Sequence, residues 1–387
     1  MATKSILGAI TASLMSCSVS PRHPGRRLLR ALGSVAWTCL ALGTLALSMG
    51  PAAAQETSPA LYEGPDRTAR LIAGAKREGS LNLYASMAEK DLRRLVSEFE
   101  RRHGIKVNVW RSGKNRVLQR VVTEARANRF EVDFIHNPSP EMEALHREKL
   151  LQEVRSPLIG DLIAGAVPAH REWIGARVYI FVQAYNTTKV KPEELPRTFK
   201  DLLDPRWKGR LAVEAKAEEW FYTVVREMGE DAGLKLFRDV VATNGVSVRA
   251  GNALLNNLVV AGEVPLAIAL YSYLPEQSRR AGAPINWIAL QPTVVYTDGV
   301  AVARRAPHPH AAVLFFDFMF SEGQVFLEEL DHVSTQRKNE AYLAKFKPKF
   351  IDVGAVLDGY EKWGKIYEDT MQGRAADSRT PAAAPAR

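Results

Sequence analysis

Tyr271, Ser272 and Tyr273 stand together at the end of an apolar stretch, where the two phenols can pack on a small solute or hydrogen-bond to it. Arg111, Ser112 and Lys114 follow a second such stretch, and Glu214 and Lys216 follow a third. Their guanidinium and ammonium groups can supply charge-assisted hydrogen bonds to a carboxylate or phosphonate. Ser86 and Met87 come after another stretch, His136 and Asn137 after the next, and Asn252 opens a helical pattern. These are ends of expected strands or starts of expected helices, where open α/β sheets bind ligands. Arg111 is the expected principal anion contact because it lies just past a strand end. Unchanged solute affinity in Arg111→Ala would remove it from the site. Each group also has a plainer reading. Tyr271 and Tyr273 alternate on a strand end, so one of them can simply pack in the core. Arg111 and Lys216 read equally well as solvated charges, and His136 as a turn residue.

The elements that must position these groups alternate in type. Residues 80–84, 106–110 and 130–135 read as strands, the second with Val107 and Val109 in alternation. Residues 89–103 have helical spacing, with Leu92, Leu95, Val96 and Phe99 on one face and Gly104 at the stop. Helices follow over 115–128 and 141–149, the latter after an Asn137-Pro138-Ser139-Pro140 turn. Strands alternating with helices predict an α/β fold with a parallel sheet covered on both faces. Beyond the long apolar strand 178–185, helices are expected over 218–228, 230–243 and 252–261, and strands over 211–214 and 264–270. Further strands are expected over 287–290 and 299–304, and a helix over 310–320. Asp298-Gly299 reads as a turn, Trp207 and Trp220 as packing residues, and His308 and His310 as a helix lead-in.

The first 54 residues read as a secretory leader. Arg26, Arg27 and Arg30 precede an apolar run over 31–48, and Pro51-Ala52-Ala53-Ala54 offers an Ala-x-Ala cleavage site before Gln55. An uncut anchor is the alternative for that run. Both cysteines, Cys17 and Cys39, lie in the leader, so the exported chain must rely on an apolar core instead of disulfides. The whole chain carries a net charge of +9, and the five cations of the leader account for five of them. No basic stripe suited to nucleic acid is evident. The exported part has no Cys nucleophile, and the chain has no Gly-x-Ser-x-Gly elbow, no His-Glu-x-x-His and no phosphate-binding glycine loop, so no catalytic residues are expected.

Four segments carry a family resemblance: Ala184-Tyr-Asn-Thr-Thr, the Leu-Pro-x-Thr-Phe to Trp-Lys-Gly-Arg-Leu-Ala stretch over 195–212, Ala261-Gly-Glu-Val-Pro265, and Ala306-Pro-His-Pro-His-Ala-Ala312. As a set they resemble the periplasmic solute-binding proteins of ABC importers, family 1, nearest the ferric-iron-binding subgroup, over about residues 71–330. The resemblance implies a two-lobed type II periplasmic binding fold, hinged near Val182 and Ile285, with the ligand in the interlobe cleft. Residues 1–54 are then the signal peptide, 55–182 with 286–335 the first lobe, 183–285 with 336–372 the second, and 373–387 a disordered tail. It implies no cofactor and no enzyme activity, a periplasmic location, a monomer, no nucleic-acid partner, and an ABC permease with its ATPase as partners.

The ferric subgroup holds its metal through a His, a Glu and two adjacent Tyr, since hard Fe(III) favours phenolate and carboxylate oxygen. Here those positions fall on Ala88, Asn137, Ser272 and Tyr273, with Tyr271 one place early. Tyr271 and Tyr273 are therefore the candidate metal ligands, completed by exogenous anions. The other ligand is a small organic anion held by Arg111, Lys114 and Lys216. The rival classes are an exported enzyme on the same fold and a sensor subunit.

Overall fold

The computed structural model describes residues 58–373. The expected leader and the expected tail beyond Gly373 lie outside these residues. In the first half, β1 (Ser80–Ala85), β2 (Lys106–Arg111) and β3 (Phe134–Pro138) alternate with α1 (Arg67–Glu78), α2 (Glu89–His103), α3 (Lys114–Arg126) and α4 (Ser139–Arg147). The helix α2 forms where its spacing places it. Leu92, Leu95, Val96 and Phe99 are buried, Glu89 and Asp91 sit in the first turn, and Gly104 closes it in the left-handed region at φ 68°.

Next comes β4 (Ile174–Asn186), 13 residues all buried, as a strand must be when covered on both faces. The second half then adds β5 (Leu211–Glu214), α5 (Glu218–Glu227), α6 (Glu230–Asn244), β6 (Ser247–Arg249), α7 (Asn252–Ala261), β7 (Leu266–Tyr271), α8 (Tyr273–Arg280) and β8 (Ile285–Ile288). The chain returns through β9 (Val294–Val302), α9 (Pro309–Phe320), α10 (Glu322–Glu329) and β10 (Val333–Ser334). It finishes with α11 (Glu340–Ala344), β11 (Lys349–Phe350), α12 (Val353–Asp358) and α13 (Tyr360–Met371).

The strand order is β2-β1-β3-β9-β4-β7-β5-β6, with β8 and β10 also beside β4 and β11 beside β9. Strands β1, β2 and β3 are mutually parallel, but β9 runs antiparallel to β3 and β4, and β7 antiparallel to β4. The expected all-parallel sheet is thus a mixed one. Strand β4 changes neighbour part-way: Ile180 still pairs with Val295 of β9, while Phe181 pairs with Tyr271 of β7. One continuous strand therefore serves both halves. Each half has its own apolar core, the first around Leu83, Phe99, Phe134 and Phe315, the second around Trp207, Trp220, Phe221 and Phe237. Both tryptophans pack as expected.

Several boundaries differ from the sequence reading. The third strand starts at Phe134 instead of 130 and includes Asn137 and Pro138, while Ser139 and Pro140 already belong to α4. Proline is well placed at a helix start, so Ser-Pro opens the helix and no separate turn is needed. Strands expected at 287–290 and 299–304 lie at Ile285–Ile288 and Val294–Val302. Asp298-Gly299 is no turn: both residues are mid-strand in β9 and buried. The turn chemistry of Asp-Gly is overridden because Asp298 finds a buried partner and Gly299 leaves room for Met142 and Trp173. Helix α1 is an element the sequence reading does not include. The helix lead-in at 308–310 is present: His308 caps α9 and Pro309 opens it.

Close approach requires glycine where β4 bulges against β9. A Cβ on Gly175 would lie 2.7 Å from Cβ of Thr297. Gly175→Ala is expected to cost about 1–3 kcal/mol, the usual penalty of overpacking, read as a lower urea midpoint with unchanged slope.

Candidate solute-binding cleft

Helix starts from the two halves face one another across a cleft of about 380 Å³. Gly113, Lys114, Asn115 and Arg116 line it from the first half, and Glu214, Lys216, Asn252 and Tyr271 from the second. Glu214 sets the far wall. Its buried carboxylate accepts from the backbone N–H of Lys216 at 2.5 Å and of Gly251 at 2.9 Å, tying the end of β5 to the start of α7. Burial pushes the Glu214 carboxyl up, against these two donors.

Behind Lys114 lies a carboxylate cradle. Its Nζ is 3.1 Å from Glu219, 3.6 Å from Glu141 and 4.0 Å from Glu218. The three carboxylate side chains are 1–5% exposed, and that of Lys114 is 19% exposed. Glu141 comes from α4 of the first half, Glu218 and Glu219 from α5 of the second. Burial disfavours the Lys114 ammonium, but Glu141, Glu219 and Glu218 outweigh it and raise its pKa well above the ordinary value. Burial pushes Glu219 up to about 7; Lys114 opposes this, while Glu218 and Glu141 add to it.

The floor is aromatic. The Tyr271 hydroxyl is 2.7 Å from that of Tyr296 on β9, and the Tyr271 ring stacks on Tyr179 of β4 at 4.4 Å. Tyr273 opens α8 rather than ending a strand, and its ring lies 4.2 Å from that of His332. Beneath them is a buried charge network. Arg177 donates to Asp298 at 2.6 Å and 2.9 Å, Tyr179 donates to the same oxygen at 2.9 Å, and His136 Nε2 lies 3.0 Å from it. His332 Nε2 lies 3.0 Å from Arg177 and 2.9 Å from Asp91. Burial would raise the Asp298 carboxyl, but His136 and Arg177 prevail and hold it well below the usual carboxylate range. Burial and Arg177 together push His332 down to about 4, against Asp91, so it stays neutral at ordinary pH.

The residues singled out from sequence divide into two groups. Lys114, Lys216, Asn252 and Tyr271 meet at the cleft. Asn137 joins them, fully buried, with its Nδ2 donating to the Lys114 carbonyl at 3.0 Å. Ser272 and Tyr273 are adjacent, and the Ser272 N–H is bound to the Ile180 carbonyl. Arg111 lies elsewhere. It lines an outer groove with Glu89, Leu92, Arg93 and Val109, and its Nε donates to the Met87 carbonyl at 2.7 Å. Met87 is a core residue at 2% exposure. Ser86 and Ser112 spend their N–H groups on His136 and Ala85 carbonyls, stitching the strand ends together. The reason is geometric: β2 is the edge strand, and Arg111 turns back over the loop before α2 instead of across it.

Sequence reading missed Glu141, Glu218, Glu219, Arg177 and Asp298. A signal existed for the last two. A single Arg and a single Asp within apolar strands each require a buried partner, and here they are each other's.

The model of the bacterial extracellular solute-binding proteins matches residues 81–329. The chain belongs to this family. The chain is accordingly a solute-binding protein and not an enzyme. Iron uptake protein A1 of a Synechocystis strain is similar, 26% identical over 288 residues, 69% of this chain and 78% of that protein. Among solved structures, iron-bound HitA from Pseudomonas aeruginosa superposes with a TM-score of 0.66 at 21% identity, covering 75% of this chain and 99% of that one. The Trichodesmium IdiA (FutA) complex with iron and citrate gives 0.60 at 20% identity, covering 76% and 99%. These likenesses establish the fold of this solute-binding protein as the two-lobed type II periplasmic class.

Proposed function

We propose that this chain works in the periplasm as the solute-capturing component of an ABC importer, and that its cargo is ferric iron carried with a small organic anion. Residues 55–182 with 286–335 and 183–285 with 336–372 are read as the two lobes, closing on the cargo and presenting it to the permease and its ATPase. The observation that carries the cargo is the cleft's mixed chemistry. Lys114, Arg116, Lys216 and Asn252 line it alongside Tyr271, and Glu219 and Tyr296 lie behind. Cationic donors suit an anion, and phenol and carboxylate oxygens suit a hard cation. Among the described residues no three His, Cys, Asp or Glu are placed to hold a metal, so phenol oxygens and the anion would complete the coordination. Tyr271 and Tyr273 are the proposed phenolate ligands; Asn137, Lys216, Asn252 and Ser272 frame them. Iron-named relatives support the same cargo.

The second reading, a small organic anion without iron, is favoured by Lys114, Arg116 and Lys216 alone. Native mass spectrometry with metal analysis of protein taken from its own periplasm separates the two. Iron with an added anion mass and a visible tyrosinate–Fe(III) band supports the proposal; an organic mass without metal supports the second reading. Tyr271→Phe should abolish or shift the band and weaken ferric citrate binding by roughly ten-fold, about 1.4 kcal/mol, within the range for a lost buried polar partner. Arg111→Ala should leave it unchanged.

A further inference from the structure

On the lobe reading proposed above, Lys114 is a link between lobes that needs no solute, alongside the ion pairs Arg147–Asp358 and Arg280–Asp331. It belongs to α3 of the first lobe, yet its shortest ionic contact, 3.1 Å, is to Glu219 of the second. It shares its cradle between Glu141 of its own lobe and Glu218 and Glu219 across the cleft. Beside it, Asn115 donates to the Tyr360 hydroxyl of α13 at 3.2 Å, and α13 packs on α5 and α6. Parting the lobes would leave Glu218 and Glu219 beside each other with no ammonium between them. The cradle is also under-filled: Oε2 of Glu141 and Oε2 of Glu219 are buried without a hydrogen-bond partner, so the carboxylates gain most from a cation held at their centre. The distances of 3.1–4.0 Å about Nζ suit an ammonium.

We infer that Lys114 is an interlobe latch: its ammonium, seated among Glu141, Glu218 and Glu219, holds the solute-free protein closed. A solute that needs the cleft must wait for this contact to break, so the latch lowers how often the empty protein opens.

The test uses the chain from Gln55 onward, whose lack of cysteine allows a clean pair of spin labels at Lys76→Cys on α1 and Arg238→Cys on α6, both exposed. Distances between the labels are measured without solute at pH 8, where Glu219 is ionised, by pulsed electron resonance. The unaltered cleft should give one short distance, and Lys114→Ala should move the main peak to a longer one. Adding n-propylammonium should restore the short distance by refilling the cradle, while n-propanol should not. A Glu218→Gln/Glu219→Gln double variant should also lengthen the distance, which covers failure of Lys114→Ala to fold. An unchanged distance in either folded variant, or equal rescue by propanol, overturns the latch. Solute identity does not enter: absence of iron in the purified protein would sink the proposed cargo and leave the latch standing.

Discussion

Asp298→Ala is expected to lower unfolding stability by about 3–5 kcal/mol, because it strips the partner from a guanidinium that has no route to water. Arg177 is fully buried, and Asp298 takes its Nε and Nη2 together with the Tyr179 hydroxyl and a contact from His136. Removing the carboxylate leaves Arg177 charged among Tyr179, His332 and Asp91, and only Asp91, through His332, remains to offset it. Urea unfolding at pH 7 measures the effect. A loss under about 1 kcal/mol would mean that the network rearranges around the gap. The pH sign also follows. The Asp298 carboxyl is held below its unfolded value, so its stabilisation is present above the ordinary carboxylate range and is lost only as pH falls beneath that range.

The second large effect has the opposite sign. In the folded protein Glu219 holds its proton up to about pH 7, because burial outweighs Lys114 and is reinforced by Glu218 and Glu141. The unfolded chain releases that proton near pH 4.3, roughly the ordinary glutamate value. A raised acid of this kind favours the folded state fully below the unfolded pKa, and the advantage disappears as pH rises through about 7. Between those limits this group alone should remove about 1.4 kcal/mol of stability per pH unit. The groups facing it are Lys114, Glu141, Glu218 and Tyr271; Lys114 stays charged and Tyr271 neutral across that window, and Glu141 is raised too and adds to the slope. Glu219→Gln should flatten the profile between pH 5 and 7.5. Parallel wild-type and variant profiles would show that another group carries the slope.

How much of this was legible in the chain depends on the kind of signal. Helix α2 was readable because its apolar spacing, acidic start, basic end and glycine stop all agree. Helices over 230–243 and 252–261 form within a residue of their expected ends, each closed by a glycine, Gly245 and Gly262. The cleft residues Lys114, Lys216, Asn252 and Tyr271 were found because position after a strand or at a helix start is a local property. Arg111 shares that local property and still lies in the outer groove, since which way a side chain turns at an edge strand depends on the loop packed beside it. The carboxylate cradle was invisible for another reason. Glu141 and Glu218 are far apart in the chain, and Glu218-Glu219 at a helix start is a common charge-to-dipole pattern with no need of a distant partner. Asp298-Gly299 misled because its turn chemistry is real but weaker than the pull of Arg177.

The shared strand β4 decides how this protein can be taken apart. Its first part is hydrogen-bonded to β9 through Ile180 and its remainder to β7 from Phe181 on. Severing the backbone there would hand each fragment a raw sheet margin of unpaired amides and carbonyls, an invitation to stick to other chains. Neither piece is therefore an independent folding module, and the two lobes should melt together in a single calorimetric transition.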